Sequence, residues 1–199
     1  MDNSKKNINE CDIAEKIDMV VYNKDTTNLI LSNEDLGDIL DIHNNTKNYI
    51  VLAFKYLESN NINKFRKLIS QHKYIINTKY NGTYLIHKAC SIGDSEIVSF
   101  LMFTGAICSN MDDTGLMAQH HSIYSKENII IEILELFGND INVQDIKGNT
   151  PLHHAIELNN KTMIKILLEY KADINIKNNI GITPRDYCLL DNNLKNLIK

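Results

Sequence analysis

Five of the seven histidines stand where chemistry could be built from them: His87, the adjacent pair His120 and His121, and the adjacent pair His153 and His154. Imidazole nitrogen is a common zinc ligand and the usual general base near neutral pH, so this recurrence raises a metal-centre or acid–base reading. The spacing argues against it. His87, His120 and His153 are each 33 residues apart (120−87, 153−120), and a side chain repeated once per structural unit sits about one helix-pair width, roughly 10 Å, from its successor instead of converging on one ion. His121 and His154 share a register as well, but the sequence shows no cysteine or carboxylate at ligand spacing beside them, and surface polarity is their expected role. No metal, cofactor or catalytic residue is expected. Cys11, Cys90, Cys108 and Cys188 are widely separated with no C-x-x-C pair, which fits reduced thiols, and Cys90 and Cys188 fall at small-residue positions between helices. The glycines are spread and not clustered, so no phosphate-binding loop is expected either.

The elements that carry these histidines repeat. Gly82, Gly115, Gly148 and Gly181 follow one another at intervals of 33 (115−82, 148−115, 181−148). Five residues after them come His87, His120, His153 and Asp186, and seven after come Ala89, Ser122, Ala155 and Cys188, all small. Val98, Ile131 and Ile164 recur in phase, as do Leu101, Leu134 and Leu167. Each unit reads as a turn and two helices. Thr150 is an N-cap residue and Pro151 suits the first helical position; "LHHAIEL" makes a short helix that Asn159 and Asn160 end; "KTMIKILLEY" places Met163, Ile164, Leu167 and Leu168 on one face of a second. The runs "IIIEILELF" and "MIKILLEY" are expected to be core. Helices this short are not stable alone and must pack on their neighbours.

The segment "GNTPLHHAIELNNKTMIKILLEYKADINIKNN" resembles an ankyrin repeat, with Gly148, Thr150, Pro151, Leu152, His153 and Ala155 on the T-P-L-H-x-A core. "GITPRDYC" resembles a truncated last repeat. "NGTYLIHKACSIGDSEIVSFLMFTGA" carries Tyr84 and Leu85 in place of Thr and Pro, and "TGLMAQHHSIYSKENIIIEILELFGNDIN" carries Met117, Ala118 and Gln119 at the T-P-L positions. The resemblance implies an all-α ankyrin-repeat solenoid with β-turn fingers. Its expected divisions are a divergent first repeat over 48–80, repeats over 81–113, 114–146 and 147–179, and a truncated repeat over 180–199. It also implies that the recurring histidine hydrogen-bonds to backbone between repeats. Residues 1–47 form an extension, with "DIAEKIDMVVYN" and "SNEDLGDILDIHNN" readable as short amphipathic helices over the first repeat or as a partly disordered tail.

Ankyrin domains bind proteins through finger tips and first helices on the concave side. Carried over by register, the resemblance assigns that surface to Tyr80, Asn81, Thr83 and Ile92; to Asp113, Thr114, Leu116 and Tyr124; to Ile146, Lys147, Asn149 and Leu158; and to Ile180 and Ile182. The apolar members of this set form a stripe of the kind that marks an interaction surface. Asn142 and Asn175, each eight residues after a leucine (Leu134, Leu167), resemble sites of asparaginyl hydroxylation in such repeats.

Net charge −4 and pI near 6.0 leave no basic cluster for nucleic acid, and no apolar run is long enough for a membrane helix or a secretory signal. A monomeric cytoplasmic protein-binding module is expected. Heavy use of isoleucine, asparagine and lysine, with Arg66 and Arg185 the only arginines, points to an AT-rich genome. Together with the short, imperfect array and a chain ending at Lys199 without an F-box-like segment, this resembles small poxviral host-range ankyrin proteins. That implies an antagonist of host innate immune signalling, through NF-κB or interferon-induced responses. The alternatives are an inhibitor resembling the I-kappa-B family and a cellular or bacterial ankyrin adaptor.

Overall fold

The structure, a computed structural model, describes residues 33–125, 129–190 and 194–197. The stretch "DIAEKIDMVVYN" lies outside the described residues. Among the described residues nine α-helices run in chain order: α1 Asn33–Glu58, α2 Ile62–Gln71, α3 Leu85–Ile92, α4 Ser95–Thr104, α5 Ala118–Ser122, α6 Ile129–Leu136, α7 Pro151–Glu157, α8 Lys161–Glu169 and α9 Pro184–Leu190, with 3-10 turns at Lys73–Ile75 and Lys195–Leu197. Among the described residues there is no strand, only an isolated antiparallel bridge between Tyr80 and Thr83. The fold is the expected all-α repeat, with α1 crossing residue 48 without a break.

Local chemistry sets the helix boundaries. The turn between paired helices needs a left-handed residue, and it falls on Asn60 (φ 52°), Gly93 (φ 84°) and Asn159 (φ 52°), in register at intervals of 33 and 66 (93−60, 159−93). The next residue caps the second helix: Asn61, Asp94 and Asn160 accept from the backbone N–H of Lys64, Ile97 and Met163 at 3.4, 3.0 and 3.1 Å. This explains the pairs Asn60–Asn61 and Asn159–Asn160, and Gly93–Asp94 in their place after α3.

Like elements stack: α3 packs on α5, α4 on α6 and α7 on α9. Val98, Leu101, Ile131, Leu134, Ile164 and Leu167 are all buried, as their common register requires. The core nevertheless divides within residues 114–146. Ala118, Ile130 and Leu134 belong to a cluster with α1–α4, whereas Ile123, Ile131 and Ile141 join one built on α7 and α8. The repeat with the poorest turn chemistry thus carries the seam, and its first helix, α5, has five residues.

Candidate functional site: the fingers and the inner helices

Three of the four fingers are built on a side chain three residues before the glycine (115−112, 148−145, 181−178), where the first finger has Lys79 instead. Asp112 Oδ1 accepts from the N–H of Thr114 and Leu116 at 2.8 and 2.9 Å and from the Thr114 hydroxyl at 2.6 Å. Asp145 Oδ1 accepts from the N–H of Lys147 and Asn149, both at 2.8 Å. Asn178 Oδ1 does the same for Ile180 and Ile182 at 3.2 and 3.0 Å. Each loop is therefore an Asx-type turn, with its N–H groups satisfied from inside. Thr114 and Leu116 help hold the Asp112 carboxyl down to about 2, against the opposing effect of burial, with His121 adding to them.

Successive fingers touch at the glycines. A Cβ on Gly82 would meet Asp113, on Gly115 would strike Ile146, and on Gly148 would meet Asn179. The Asp113 N–H donates to Gly82 O at 2.8 Å and that of Asn179 to Lys147 O at 3.0 Å.

The recurring histidines tie finger to helix. The backbone N–H of Met117 donates to His120 Nδ1 at 3.2 Å and that of Thr150 to His153 Nδ1 at 3.0 Å. Each Nε2–H then donates across to the next finger, to Asn149 O at 3.1 Å and to Ile182 O at 3.2 Å. This is the inter-repeat role that the ankyrin resemblance implies. Burial pushes His120 down to about 4 and lowers His153 as well, so both act as neutral rings at neutral pH. At the same register Asp186 accepts from the Thr183 N–H and hydroxyl at 2.9 and 2.7 Å.

His121 and His154 differ from expectation. Their side chains are only 18% and 11% exposed, and each Nε2 meets a carboxylate: Asp112 Oδ2 at 2.8 Å and Asp145 Oδ2 at 2.9 Å. They are carboxylate-paired groups under the fingers and not surface polarity. The sequence did hold a signal, since Asp112 and Asp145 each precede the paired histidine by nine residues (121−112, 154−145). That spacing is nothing like a helix-based ligand motif, and only the finger folding back over the helix closes it. Across the two registers, neighbouring repeats bring histidine rings together. The His87 and His121 rings stack at 4.8 Å, and those of His120 and His154 meet edge-on at 5.4 Å.

Of the residues assigned to the concave surface, Asn81, Ile92, Asp113, Thr114, Tyr124, Ile146, Lys147, Leu158 and Ile180 are exposed, whereas Tyr80, Thr83, Leu116, Asn149 and Ile182 are half-buried. Three of the latter have structural duties. Tyr80 packs its ring on Phe54 at 5.2 Å, Thr83 bridges back to Tyr80, and Asn149 Oδ1 accepts from Asn178 Nδ2 at 2.9 Å. Along the C-terminal ends of α3, α5 and α7 the exposed apolar side chains are Ile92 (40%), Tyr124 (50%) and Leu158 (49%). An open groove lined by Leu57, Glu58, Lys88, Ile92 and Asp94 continues from Ile92.

Not all of "IIIEILELF" is core. Ile130, Ile131 and Leu134 are buried, but Leu136 is 83% exposed and Phe137 stands beside Phe103, their rings 4.9 Å apart. The run outlasts the contact face of its helix. Asn142 Oδ1 accepts from the Asp173 N–H at 2.8 Å, and Asn175 Oδ1 from Arg185 Nε at 3.2 Å. Cys90, Cys108 and Cys188 are buried thiols outside any disulfide among the described residues, and burial pushes the Cys108 thiol up to about 12.

Among the described residues no helix is long and apolar enough to cross a membrane. No curated protein matches the chain significantly. A family model described as "Ankyrin repeats (3 copies)" matches residues 50–145, 86–178 and 120–198. With stacked fingers and the histidine ladder, that coverage places the chain in the ankyrin-repeat family, whose members are protein–protein interaction modules.

Proposed function

We propose that the chain captures a protein partner on the surface formed by its finger tips and the exposed ends of α3, α5 and α7. The row Ile92, Tyr124 and Leu158 carries this reading. These are large apolar side chains, left open to water on elements whose other apolar residues are buried. Ile146 and Ile180 extend the surface onto the fingers, at 60% and 74% exposure. Within it, Asn81, Asp113, Thr114, Lys147 and the edges of Tyr80, Thr83, Leu116, Asn149 and Ile182 make the polar and shape-defining surround.

The partner we infer is a host protein of innate immune signalling, with the chain acting as a viral host-range factor in the infected cytoplasm. The isoleucine-, asparagine- and lysine-rich composition and the short, imperfect array support this reading. Asn142 and Asn175, at matching positions beyond α6 and α8, are proposed targets of asparaginyl hydroxylation. The exposed Asn175 is the more accessible of the two.

Affinity purification of the full chain from human cells, followed by mass spectrometry, tests the surface. Tyr124→Asp and Leu158→Asp are expected to lose the partner while keeping the wild-type melting temperature. A folded double variant that still recovers every partner would remove the surface from consideration. Recovery of a Rel-type subunit instead of a restriction or signalling factor would favour the I-kappa-B-like mode.

A further inference from the structure

We propose that His87, Asp112 and His121 form a binding site for one divalent transition-metal ion of the zinc class, clamping the first full repeat to the degenerate one beside it. Candidate ligand atoms of the three residues lie within 4.8 Å of one another. Four-coordinate zinc with ligand bonds of about 2.0–2.1 Å holds its ligands roughly 3.3 Å apart, a contraction that side-chain rotation can supply.

The decisive feature is His87. It is fully buried, and among the described residues its Nε2 finds no hydrogen-bond partner. The other two histidines of its register have both nitrogens engaged. A backbone N–H bonded to Nδ1 fixes the proton on Nε2, which then donates to the next finger. Among the described residues no such backbone donor reaches His87 Nδ1, which instead meets the Thr83 hydroxyl at 3.5 Å. With the proton on Nδ1 toward Thr83, Nε2 presents a bare lone pair. The Asn110 backbone lies near the ring and favours its protonated form, yet no hydrogen bond of ordinary geometry reaches Nε2 among the described residues. A buried lone pair without a donor is costly, and a metal ion satisfies it.

The two other ligands are held ready. His121 lies parallel to His87, the planes 18° apart, with Nδ1 3.2 Å from Ser91 Oγ. Ser91 gives its own hydrogen to His87 O at 3.0 Å, so its lone pairs can accept Nδ1–H from His121, which leaves Nε2 to ligate. Asp112 is anchored through Oδ1 by three finger donors, while Oδ2 accepts from His121 Nε2–H at 2.8 Å; the ion would replace that proton, released to water, and take both atoms as ligands, Oδ2 monodentately. Two imidazoles and one carboxylate suit zinc and leave a fourth position for water.

The molecule contains its own control. His120, Asp145 and His154 also place candidate ligand atoms within 4.8 Å, yet both nitrogens of His120 are already hydrogen-bonded. That cluster has no vacant donor and is not expected to bind. The placement also has a purpose. The clamp joins α3 to the finger and helix of the repeat where the core divides and where Met117, Ala118 and Gln119 replace the usual turn residues.

The test uses the full chain, stripped with a chelator and titrated with Zn²⁺ by calorimetry and with Co²⁺ by visible spectroscopy. One ion per chain is expected, with the d–d absorption of four-coordinate Co²⁺ and a rise in melting temperature. His87→Gln and Asp112→Asn are each expected to weaken binding by about 100-fold or more, and His154→Gln to leave it unchanged. If the His87 variant does not fold, imidazole ¹⁵N spectra of the wild type decide: Zn²⁺ should shift His87 and His121 and leave His120, His153 and His154 in place. Absence of saturable binding, or equal loss in the His154 variant, or shifts confined to other histidines, would overturn the site.

Discussion

A single atom decides the fate of two glycines that share a backbone conformation. Gly148 and Gly138 have φ of 76° and 75°, so alanine at either carries left-handed strain of about 1 kcal/mol. They differ in what a Cβ would meet, which is Asn179 side chain and backbone at Gly148 and nothing within 4 Å at Gly138. Gly148→Ala is therefore expected to cost about 3 kcal/mol or more by urea denaturation, because backbone of the next finger must move, and Gly138→Ala only about 1 kcal/mol. Equal losses would mean that the fingers do not stack as described. The sequence marks Gly148 through its period, but the neighbour that makes it irreplaceable is 31 residues away (179−148).

At the scale of an element, the finger stands or falls with its aspartate. Asp145→Ala removes the acceptor of the Lys147 and Asn149 N–H groups together with the partner of His154, and is expected to cost about 2–4 kcal/mol. Asp145→Asn keeps an oxygen for the loop, as Asn178 does in the last finger, and should recover most of the loss. Chemical denaturation of the pair checks this, and an asparagine variant as weak as the alanine one would shift the weight from the turn to the histidine. Asn160→Ala removes the cap of α8 and is expected to cost about 1 kcal/mol. The helices and their caps were legible in the sequence because capping is local, a matter of a side chain and an N–H three residues on. The pairing of Asp112 with His121 was not, because the eight intervening residues must turn before the groups meet.

For the whole molecule, buried histidines make stability depend on pH. His87 and His120 are held at about 4, below the ordinary value of 6.5, chiefly by burial. Between those limits the unfolded chain binds more protons than the folded one, so stability is fully present above pH 6.5 and falls as pH drops toward 4, by about 1.4 kcal/mol per unit for each ring. Asp112, held at about 2, adds a further loss below its ordinary 3.8. Denaturant titrations in a chelating buffer from pH 7.5 to about 4.5 should show this decline, and a flat profile would contradict the buried, neutral ladder. The divided core gives a second expectation: amides of α5 should exchange faster than those of α7 and α8 by native-state hydrogen exchange, since repeat arrays open at their weakest interface.

The sequence by itself determined the repeat, its register, the all-α class and the buried faces, since helix periodicity, capping residues and left-handed turn positions act over a few residues and recur every 33. Tertiary structure alone decided which histidine lies beside which, which carboxylates fold back over them, and where the core divides. Those depend on the offset between neighbouring units, and stacking brings together side chains that no spacing along the chain predicts.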